Sequence, residues 1–456
     1  MAGPVDSWGG NWFGFRWFTI IIVATRHGWK KFTLFMILVF SIVCAFAYLL
    51  LILFQATYVG LYSRFMDQTS IESTTEPFQP TTCVVLCLRG LDPSLPDCLK
   101  GLAAQSYPDF QLICVVDDSN DPALDAVRQY SAQFQQPPKI LVIDEAGSLR
   151  SLKCSALLTA FNHIVNAETA YEVIVLVDAD TLCDDQWLRD LVAPMSNPEV
   201  DATSGNRWFE PCDDSIGSWV RQIWNAAAVV QMDLYGIPWG GSLAFRATLF
   251  EQTDFLKRLE SAFCEDTLLS DVLRKDRRTL RSVRNLVVTN TESTTLPAAT
   301  GFITRQLLTT RLYHWSWPCV MLHASSIFAI NVVSLVGLII AICMAAWLPV
   351  MLLLSAFIGS QLANMALLGW IGRINHRKIE ARPAADQPTN LAGISQTKYF
   401  LAVMASPWVH AWATLCAVGQ SKIRWRGIEY RITSQRVEML EYKKYEPNTP
   451  GNLSID

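Results

Sequence analysis

The chain has 456 residues, of which 51% are hydrophobic and 17% charged, and its formal net charge at pH 7 is −4. A soluble protein typically carries about 25% charged residues, so this composition argues against a wholly soluble protein. The negative net charge argues against nucleic-acid binding, which needs a basic surface, and we expect no nucleic acid among the partners.

The hydrophobic residues are concentrated in a few long segments. Residues 32–54 and 319–370 contain no Asp, Glu, Lys or Arg, and the second segment is long enough for two membrane crossings of about 20 residues each. Residues 399–418 are a weaker candidate because they contain Pro407 and His410. We therefore predict an integral membrane protein in contact with the lipid bilayer, with about one span before the central region and two to three after it.

The predicted organisation follows from these segments. Trp8, Trp12 and Trp17 favour an N-terminal segment at the membrane interface. In chain order we predict an interfacial segment (1–31), transmembrane helix 1 (32–62), a linker (63–80), an α/β domain (81–300), a second interfacial segment (301–318), a transmembrane region (319–418) and a C-terminal tail (419–456).

Short apolar strands alternate with helices in the α/β domain. The pattern predicts strands at 83–88, 110–116, 139–143 and 173–177, and helices at 94–106, 121–135, 152–165 and 266–275. Such alternation is typical of a parallel sheet wound right-handedly. The predicted fold class is α/β, a Rossmann-like domain with a parallel-rich sheet inserted between transmembrane helices.

The strand at 173–177 is the most informative, because it is wholly apolar and two carboxylates follow it. Its five Val, Ile and Leu residues indicate a central strand buried on both faces. If Asp178 and Asp180 continue that strand, they point to the same side, at the sheet edge where ligands bind. Two carboxylates form a site of hard oxygen ligands that suits Mg²⁺ or Mn²⁺. An isolated Asp-x-Asp in a loop is the alternative.

Three further motifs follow the strand–helix order. Asp117 and Asp118 come directly after the second strand, where carboxylates could hold a nucleotide. Trp239, Gly240 and Gly241 would let the backbone approach a sugar closely. Glu265 and Asp266 begin a predicted helix, so Asp266 could point into a cleft. Each motif alone is weak, but four in this order before membrane spans are much less expected by chance.

With these motifs the chain resembles the family-2 glycosyltransferases, and more closely their lipid-glycosylating branch, which includes the ceramide glucosyltransferases. The resemblance covers about residues 80–315 and includes Arg89-Gly90, Asp92-Pro93 and Gln105-Ser106-Tyr107-Pro108. A further match is the tail sequence Arg424-Trp425-Arg426-Gly427-Ile428-Glu429-Tyr430. The resemblance implies a GT-A fold.

The resemblance also implies residue roles. Asp117 or Asp118 would contact the nucleotide, Asp180 with Asp178 would hold the metal, and Asp266 would be the catalytic base. Lys153 matches a family lysine near the nucleotide, although the Asn residues that usually flank it are absent.

The last family motif, Q/R-x-x-R-W, has two possible registers in this sequence. One runs from Arg311 to Trp315 with His314 in place of Arg, and the other begins at Arg305-Gln306. An aromatic belt at the membrane surface is an alternative for this segment. For the tail, we favour an amphipathic hairpin on lipid headgroups over a catalytic role.

The expected function is inverting, metal-dependent transfer of a hexose, by resemblance glucose, from a UDP-sugar to a ceramide- or diacylglycerol-like lipid. The expected partners are therefore a nucleotide-sugar donor, a membrane lipid acceptor and Mg²⁺ or Mn²⁺. A processive polysaccharide synthase and a non-catalytic membrane scaffold are the alternatives.

We expect the catalytic domain to face the cytosol. Arg16, Arg26, Lys30 and Lys31 before the first span favour the opposite orientation by the positive-inside rule. The basic loop 371–397 and the cytosolic supply of nucleotide-sugars instead favour a catalytic domain that faces the cytosol.

Overall fold

The computed structural model of the protein describes residues 12–67, 78–143, 145–382, 395–443 and 445, with side chains from residue 29 onward. The helices are α1 (Trp12–Asp67), α2 (Leu95–Ala103), α3 (Ala123–Tyr130), α4 (Leu152–Val165), α5 (Trp187–Val192), α6 (Ile216–Tyr235), α7 (Leu249–Gln252), α8 (Phe255–Leu259), α9 (Asp266–Lys275), α10 (Leu296–Tyr313), α11 (Trp317–Cys343), α12 (Trp347–Glu380) and α13 (Gln396–Gly419). The strands are β1 (Thr82–Leu88), β2 (Phe110–Val116), β3 (Lys139–Val142), β4 (Val173–Val177), β5 (Val200–Phe209), β6 (Ser242–Arg246), β7 (Thr279–Asn290), β8 (Lys422–Trp425), β9 (Ile428–Thr433) and β10 (Arg436–Glu441).

Strands β1 to β7 form one sheet in the order β3-β2-β1-β4-β6-β5-β7. All of its described strands run in one direction except β6, which is antiparallel to both neighbours. This confirms the predicted α/β class and parallel-rich sheet. Strand β4 is central and fully buried, as predicted, but it has a parallel neighbour on one side only.

The apolar strands build a core on each face of this sheet. Ile174 and Leu176 of β4 pack with Phe161 of α4 on one face. Val175, which alternates with them along the strand, packs on the other face with Leu95 of α2 and Leu188 of α5. The sheet is therefore covered by helices on both sides, and ligands can reach it only at its ends.

Most predicted strand and helix boundaries lie within two residues of the observed ones. The exceptions are the end of α2, which lies at Ala103 instead of 106, and the end of α3. This helix ends at Tyr130 instead of 135, and a short 3₁₀ helix follows at Ser131–Gln133. Pro137 and Pro138 come shortly afterwards, and a proline disfavours the helical conformation in the residue before it.

Four helices in the described part of the chain are long and apolar enough to cross a membrane: Trp29–Asp67, Trp317–Cys343, Trp347–Glu380 and Gln396–Gly419. Helix α1 is continuous from Trp12 to Asp67, through much of the predicted interfacial segment and into the predicted linker. Residues 1–11, 68–77, 383–394 and 446–456, on which parts of the predicted segments fall, lie outside the described residues.

The chain forms two compact units. One contains residues up to Phe54 together with Ser326–Asn364; in it, the Tyr48 hydroxyl donates a hydrogen bond to Asn331 Oδ1 at 3.0 Å. The other contains Gln55–Ser325 and Met365–Asp456 and holds both sheets.

The C-terminal strands form a second, antiparallel sheet in the order β10-β9-β8. Along β9 buried and exposed residues alternate, so that Ile428, Tyr430 and Ile432 share one buried face. This face packs into the core of the α/β domain with Phe263 and Tyr313. The tail hairpin was predicted to lie on lipid headgroups. This prediction is wrong, because the apolar face of the hairpin is covered by protein.

Candidate active site

A large cleft lies at one edge of the main sheet, where the carboxyl ends of the parallel strands meet. Arg89 follows β1, Asp117 follows β2, Asp178 follows β4, and Glu292 follows β7. Because β6 is antiparallel, its first residues lie at the same edge, and Trp239 precedes them. The cleft encloses about 1440 Å³ of empty space, a figure that includes the open solvent at its mouth.

At one end of the cleft, Asp117 is held by two side chains. The guanidinium of Arg89 forms an ion pair with Asp117, and the hydroxyl of Tyr442 donates to Asp117 Oδ2 at 3.1 Å. Burial raises the pKa of Asp117, although the charge of Arg89 opposes the shift. Oδ1 of Asp117 is buried and has no hydrogen-bond partner among the described residues. Because buried polar atoms are normally paired, this oxygen is suited to accept a hydrogen bond from a ligand.

Lys153 connects two of the acidic motifs. Its ammonium lies 2.8 Å from Asp178 Oδ1 and 2.7 Å from Glu265 Oε1. Burial lowers the pKa of Lys153, but the two carboxylates outweigh burial and raise it well above its usual value. Burial alone would raise the pKa of Asp178, but Lys153, with Arg207 and Arg305, lowers it. Lys153 is therefore charged and holds Asp178 in its ionised form.

Asp178 and Asp180 both line the cleft, but for a different reason from the one predicted. Strand β4 ends at Val177, and the amide of Thr181 donates to the carbonyl of Asp178 at 3.1 Å. The two carboxylates thus lie on a tight turn, where alternation along a strand does not apply. The premise of a shared strand face was wrong.

Asp180 has two polar neighbours in the cleft. Its Oδ2 accepts a hydrogen bond from Asn290 at 3.0 Å, and Arg207 lies 3.7 Å away. Burial raises the pKa of Asp180; Arg207 opposes this shift, while the charges of Asp178 and Asp92 add to it. No three His, Cys, Asp or Glu side chains in the described ranges form a group that could hold a metal ion. A Mg²⁺ ion bound by one or two carboxylates, waters and phosphates needs no such group.

Five arginines line the cleft: Arg89, Arg207 of β5, Arg221 of α6, Arg305 of α10 and Arg426 between β8 and β9. The charges of Arg207, Arg305 and Arg426 act on Asp178 or Asp180. Burial lowers the pKa of Arg305 to about 10, and the charges of Arg426 and Arg207 contribute to the shift. The Nε atom of Arg305 is buried without a hydrogen-bond partner among the described residues. Such a group of partly desolvated cations is suited to a polyanion such as a diphosphate.

Aromatic rings support Arg207 and Arg305. The guanidinium of Arg207 lies 4.6 Å from the ring centroid of Phe209 and 5.2 Å from those of Trp239 and Phe302. Arg305 lies 5.2 Å from the ring of Trp425. Cation–π contacts within about 6 Å are attractive, so the rings hold the cations at the cleft surface.

Asp266 is the first residue of α9. Its Oδ2 accepts from the amide of Gly240 at 3.1 Å, and its Oδ1 accepts from the amide of Thr267 at 2.6 Å and from Cys264 Sγ at 3.2 Å. These donors fix the orientation of the carboxylate. It lines the cleft and is more exposed than Glu265, which is 2% exposed.

Gly240 and Gly241 allow this close packing. A Cβ atom at Gly240 would collide with Glu265 Oε1, and one at Gly241 would collide with the ring of Trp239 and lie 2.8 Å from Asp178 Oδ2. The absence of a side chain at these two glycines therefore leaves room for the carboxylates of Glu265 and Asp178.

Comparison with known proteins identifies the family. A family model described as Glycosyl transferase family 21 matches residues 37–437, which is more than half of the 456 residues. The chain belongs to this family. It is therefore a glycosyltransferase that transfers a sugar from a nucleotide-sugar. No curated protein sequence matches the chain significantly.

Solved structures resemble the glycosyltransferase at low identity. A mannosyltransferase, PcManGT from Pyrobaculum calidifontis, solved with GDP-Man and Mn²⁺, is 16% identical over 75% of this chain and 99% of its own, with a TM-score of 0.47. Glucosyl-3-phosphoglycerate synthase from Mycobacterium tuberculosis, solved with Mn²⁺ and UDP-glucose, is 16% identical over 50% of this chain and 79% of its own, with a TM-score of 0.33. At these values the similarity carries no information on the substrate of this chain.

Most residues predicted for the site line the cleft of the glycosyltransferase, namely Asp117, Lys153, Asp178, Asp180, Trp239, Glu265, Asp266, Arg305 and Gln306. Six predicted residues are not among the described residues that line it: Asp118, Gly240, Gly241, Arg311, His314 and Trp315. The side chain of Asp118 instead accepts from the amide of Asn120 at 2.9 Å.

The second motif register is the one that reaches the cleft. Arg311 donates to the carbonyls of Ala417 and Val418 at 2.5 and 2.7 Å, at the end of α13. His314 is buried, with Nδ1 2.7 Å from Ser316 Oγ, and burial lowers the pKa of His314 to about 4. Arg305 and Gln306 line the cleft.

Several residues of the cleft were not predicted from the sequence, among them Arg207, Phe209, Arg221, Glu292 and Phe302. Arg221 forms an ion pair with Glu292 at 3.4 Å. Burial raises the pKa of Glu292 to about 7, and the charge of Asp180 contributes. No pattern in the sequence singles out these residues, since their positions depend on the pairing of β5 with β7 and on the packing of α10.

Proposed function

We propose that this glycosyltransferase transfers a hexose, glucose by resemblance, from a UDP-sugar to a ceramide- or diacylglycerol-like membrane lipid, with inversion at the anomeric carbon. The observation that supports this proposal is the convergence of three separate acidic motifs and five arginines on one cleft. A nucleotide diphosphate donor requires both kinds of group: carboxylates for a cation and for proton transfer, and cations for the phosphates.

The donor would lie across the sheet edge from Asp117 towards Asp180. The free Oδ1 of Asp117 would accept a hydrogen bond from an N–H of the nucleobase. Arg207 and Arg305 would bind the diphosphate. Lys153, through its ion pair with Asp178, would keep that carboxylate ionised and correctly oriented.

Asp180, with Asp178 beside it, fits a divalent cation. Burial raises the pKa of Asp180, and the charges of Asp178 and Asp92 add to this shift; a bound cation would relieve the repulsion among the three carboxylates. Mg²⁺ or Mn²⁺ held there would stabilise the negative charge that develops on the departing diphosphate.

Asp266 is the proposed general base. Its carboxylate, fixed by Gly240 and Thr267, would accept the proton of the acceptor hydroxyl as the hydroxyl oxygen bonds to the anomeric carbon. The bond from that carbon to the diphosphate oxygen breaks on the opposite face, and the nucleoside diphosphate leaves. Glu265 is paired with Lys153 and is thereby assigned to positioning.

A lipid acceptor would explain why the helices that could cross a membrane flank the catalytic domain in sequence. We propose that this domain faces the cytosol, where nucleotide-sugars are available. Cys212 belongs to this domain and is exposed. A membrane-impermeant thiol reagent should leave Cys212 unlabelled in sealed cells and label it after permeabilisation; labelling in sealed cells would reverse the orientation.

Product size tests the proposed function directly. Membranes containing the protein are incubated with radiolabelled UDP-glucose, and the products are separated by chromatography. A lipid carrying one sugar is expected. A polymer would indicate a processive synthase, and no product with any UDP-sugar would favour a non-catalytic scaffold. An Asp266→Asn membrane preparation controls for activity of the host.

A further inference from the structure

The turn between β8 and β9 has an unusual backbone. Arg426 has φ of 47° and Gly427 has φ of 79°, so both residues are in the left-handed region. Two such residues form the tight hairpin turn that matches the twist of the flanking strands. For a residue other than glycine this conformation is uncommon, and it is often retained for function. Here it places Arg426 at the tip of the turn.

Several contacts fix this turn against the donor end of the cleft. The Arg426 carbonyl accepts from Arg89 Nε at 3.0 Å, and its side chain lies 3.1 Å from Asp92 through Nη2. The hydroxyl of Tyr430 accepts from the amide of Leu152 at 3.2 Å, next to Lys153. The turn is therefore tied to the same segments that carry the predicted donor-binding residues.

The side chain of Arg426 also acts on the charges of the cleft. It contributes to the lowered pKa of Arg305 and opposes the raised pKa of Asp180. Only Nη2 of Arg426 has a hydrogen-bond partner in the described ranges, whereas a guanidinium carries five N–H donors. The remaining donors are available to a ligand in the cleft that Arg426 lines.

We propose that Arg426 contacts the diphosphate of the nucleotide-sugar, so that the C-terminal sheet completes the donor site. This inference rests on the proposed function. Together, Arg426 and Arg305 would bind the phosphates, while Trp425 supports Arg305 from the same turn. The tail would thus be part of the catalytic machinery, although more than 100 residues separate it in sequence from Asp266.

The affinities of UDP and UMP distinguish this role from a structural one. Both are measured by calorimetry with Mg²⁺ on the full-length protein in detergent. Arg426→Ala should weaken UDP binding by about 10- to 100-fold, as expected for loss of a charged hydrogen bond, and UMP binding by less than about threefold. Arg424→Ala is the matched control, because Arg424 is exposed on the preceding strand β8, two residues from Arg426; it should change neither affinity.

Arg426→Gln is the second variant, because it retains a long polar side chain at the turn and serves if the alanine variant does not fold. Equal weakening of UDP and UMP binding would show that Arg426 only holds the site together, and unchanged UDP binding would also overturn the inference. If the unmodified protein does not bind UDP, the proposed function itself fails. If the unmodified protein binds UDP, but the variants of Arg426 leave the ratio of UDP affinity to UMP affinity unchanged, only this inference fails.

Discussion

The acidic and basic sides of the cleft come from different kinds of segment. Asp117, Asp178 and Asp180 come just after strands, and Asp266 begins a helix. Among the basic residues Arg89 also follows a strand, but Arg207 lies within β5, Arg305 within α10 and Arg426 in the turn between β8 and β9.

The two sides are also held in place differently. The acidic residues are fixed by short local contacts, such as the amides that donate to Asp266 and the ammonium of Lys153 between Asp178 and Glu265. Arg207 and Arg305 are instead packed on aromatic rings. We therefore expect changes on the acidic side to affect catalysis and stability strongly, and changes on the basic side to affect donor affinity more gradually.

The largest effect is expected at Asp266. Asp266→Asn should lower the transfer rate by about 10²–10⁴-fold, the usual contribution of a general base, and leave UDP affinity unchanged. Asp276→Asn is the matched control, since Asp276 is exposed at the other end of α9. Rate and UDP affinity are measured on the same preparations. A parallel loss of UDP binding would move Asp266 to the donor site, and an unchanged rate would end its assignment as the base.

Asp180 should show the next largest effect. Asp180→Asn removes one charge of the proposed cation site and should lower activity by about 100-fold. EDTA should abolish the activity of the unmodified protein, and Mg²⁺ or Mn²⁺ should restore it. Asp185→Asn, at an exposed position nearby, is the control. Activity that survives thorough chelation would contradict the metal assignment.

A variant of Lys153 tests how much the contacts of the acidic side contribute to the stability of the fold. Lys153→Met leaves Asp178 and Glu265 without their shared cation, and loss of one partner from a buried ion pair costs about 3–5 kcal/mol. The thermal unfolding midpoint should fall clearly, and adding Glu265→Gln to this variant should restore part of the loss. Lys100→Met, whose ion pair with Asp97 is exposed, should have little effect. A small change at Lys153 would mean that water already reaches these carboxylates.

The same contrast explains what could be predicted from the sequence. Strands β2 and β4 and helices α4 and α9 were predicted with their observed bounds, because their apolar patterns are local. Asp117 and Asp178 were predicted to lie at the sheet edge for the same reason, and Asp266 was predicted to begin a helix and to point into a cleft. The two registers at Arg305 and Arg311 could not be separated, because only packing of α10 against α6 and α13 places Arg305 in the cleft. The aromatic and basic residues of the tail predicted an amphipathic hairpin, but not the protein surface that covers its apolar face.

The smallest effect is expected on the basic side, at Phe302, whose ring contacts the guanidinium groups of two arginines. Phe302 lies 5.2 Å from Arg207 and 5.8 Å from Arg305, and a cation–π contact contributes about 0.5–2 kcal/mol. Phe302→Leu should therefore weaken UDP binding by about 3- to 10-fold without changing the maximal rate at saturating donor.

Phe161→Leu is its control, because Phe161 packs on Phe245 and Phe250 in the core and lies outside the cleft. It should lower the unfolding midpoint and leave UDP affinity intact. If Phe302→Leu instead lowers the maximal rate as strongly as Asp180→Asn does, the arginines act mainly in the transition state. The separation between an acidic side for chemistry and a basic side for binding would then fail, because the same cations would carry the charge of the leaving diphosphate.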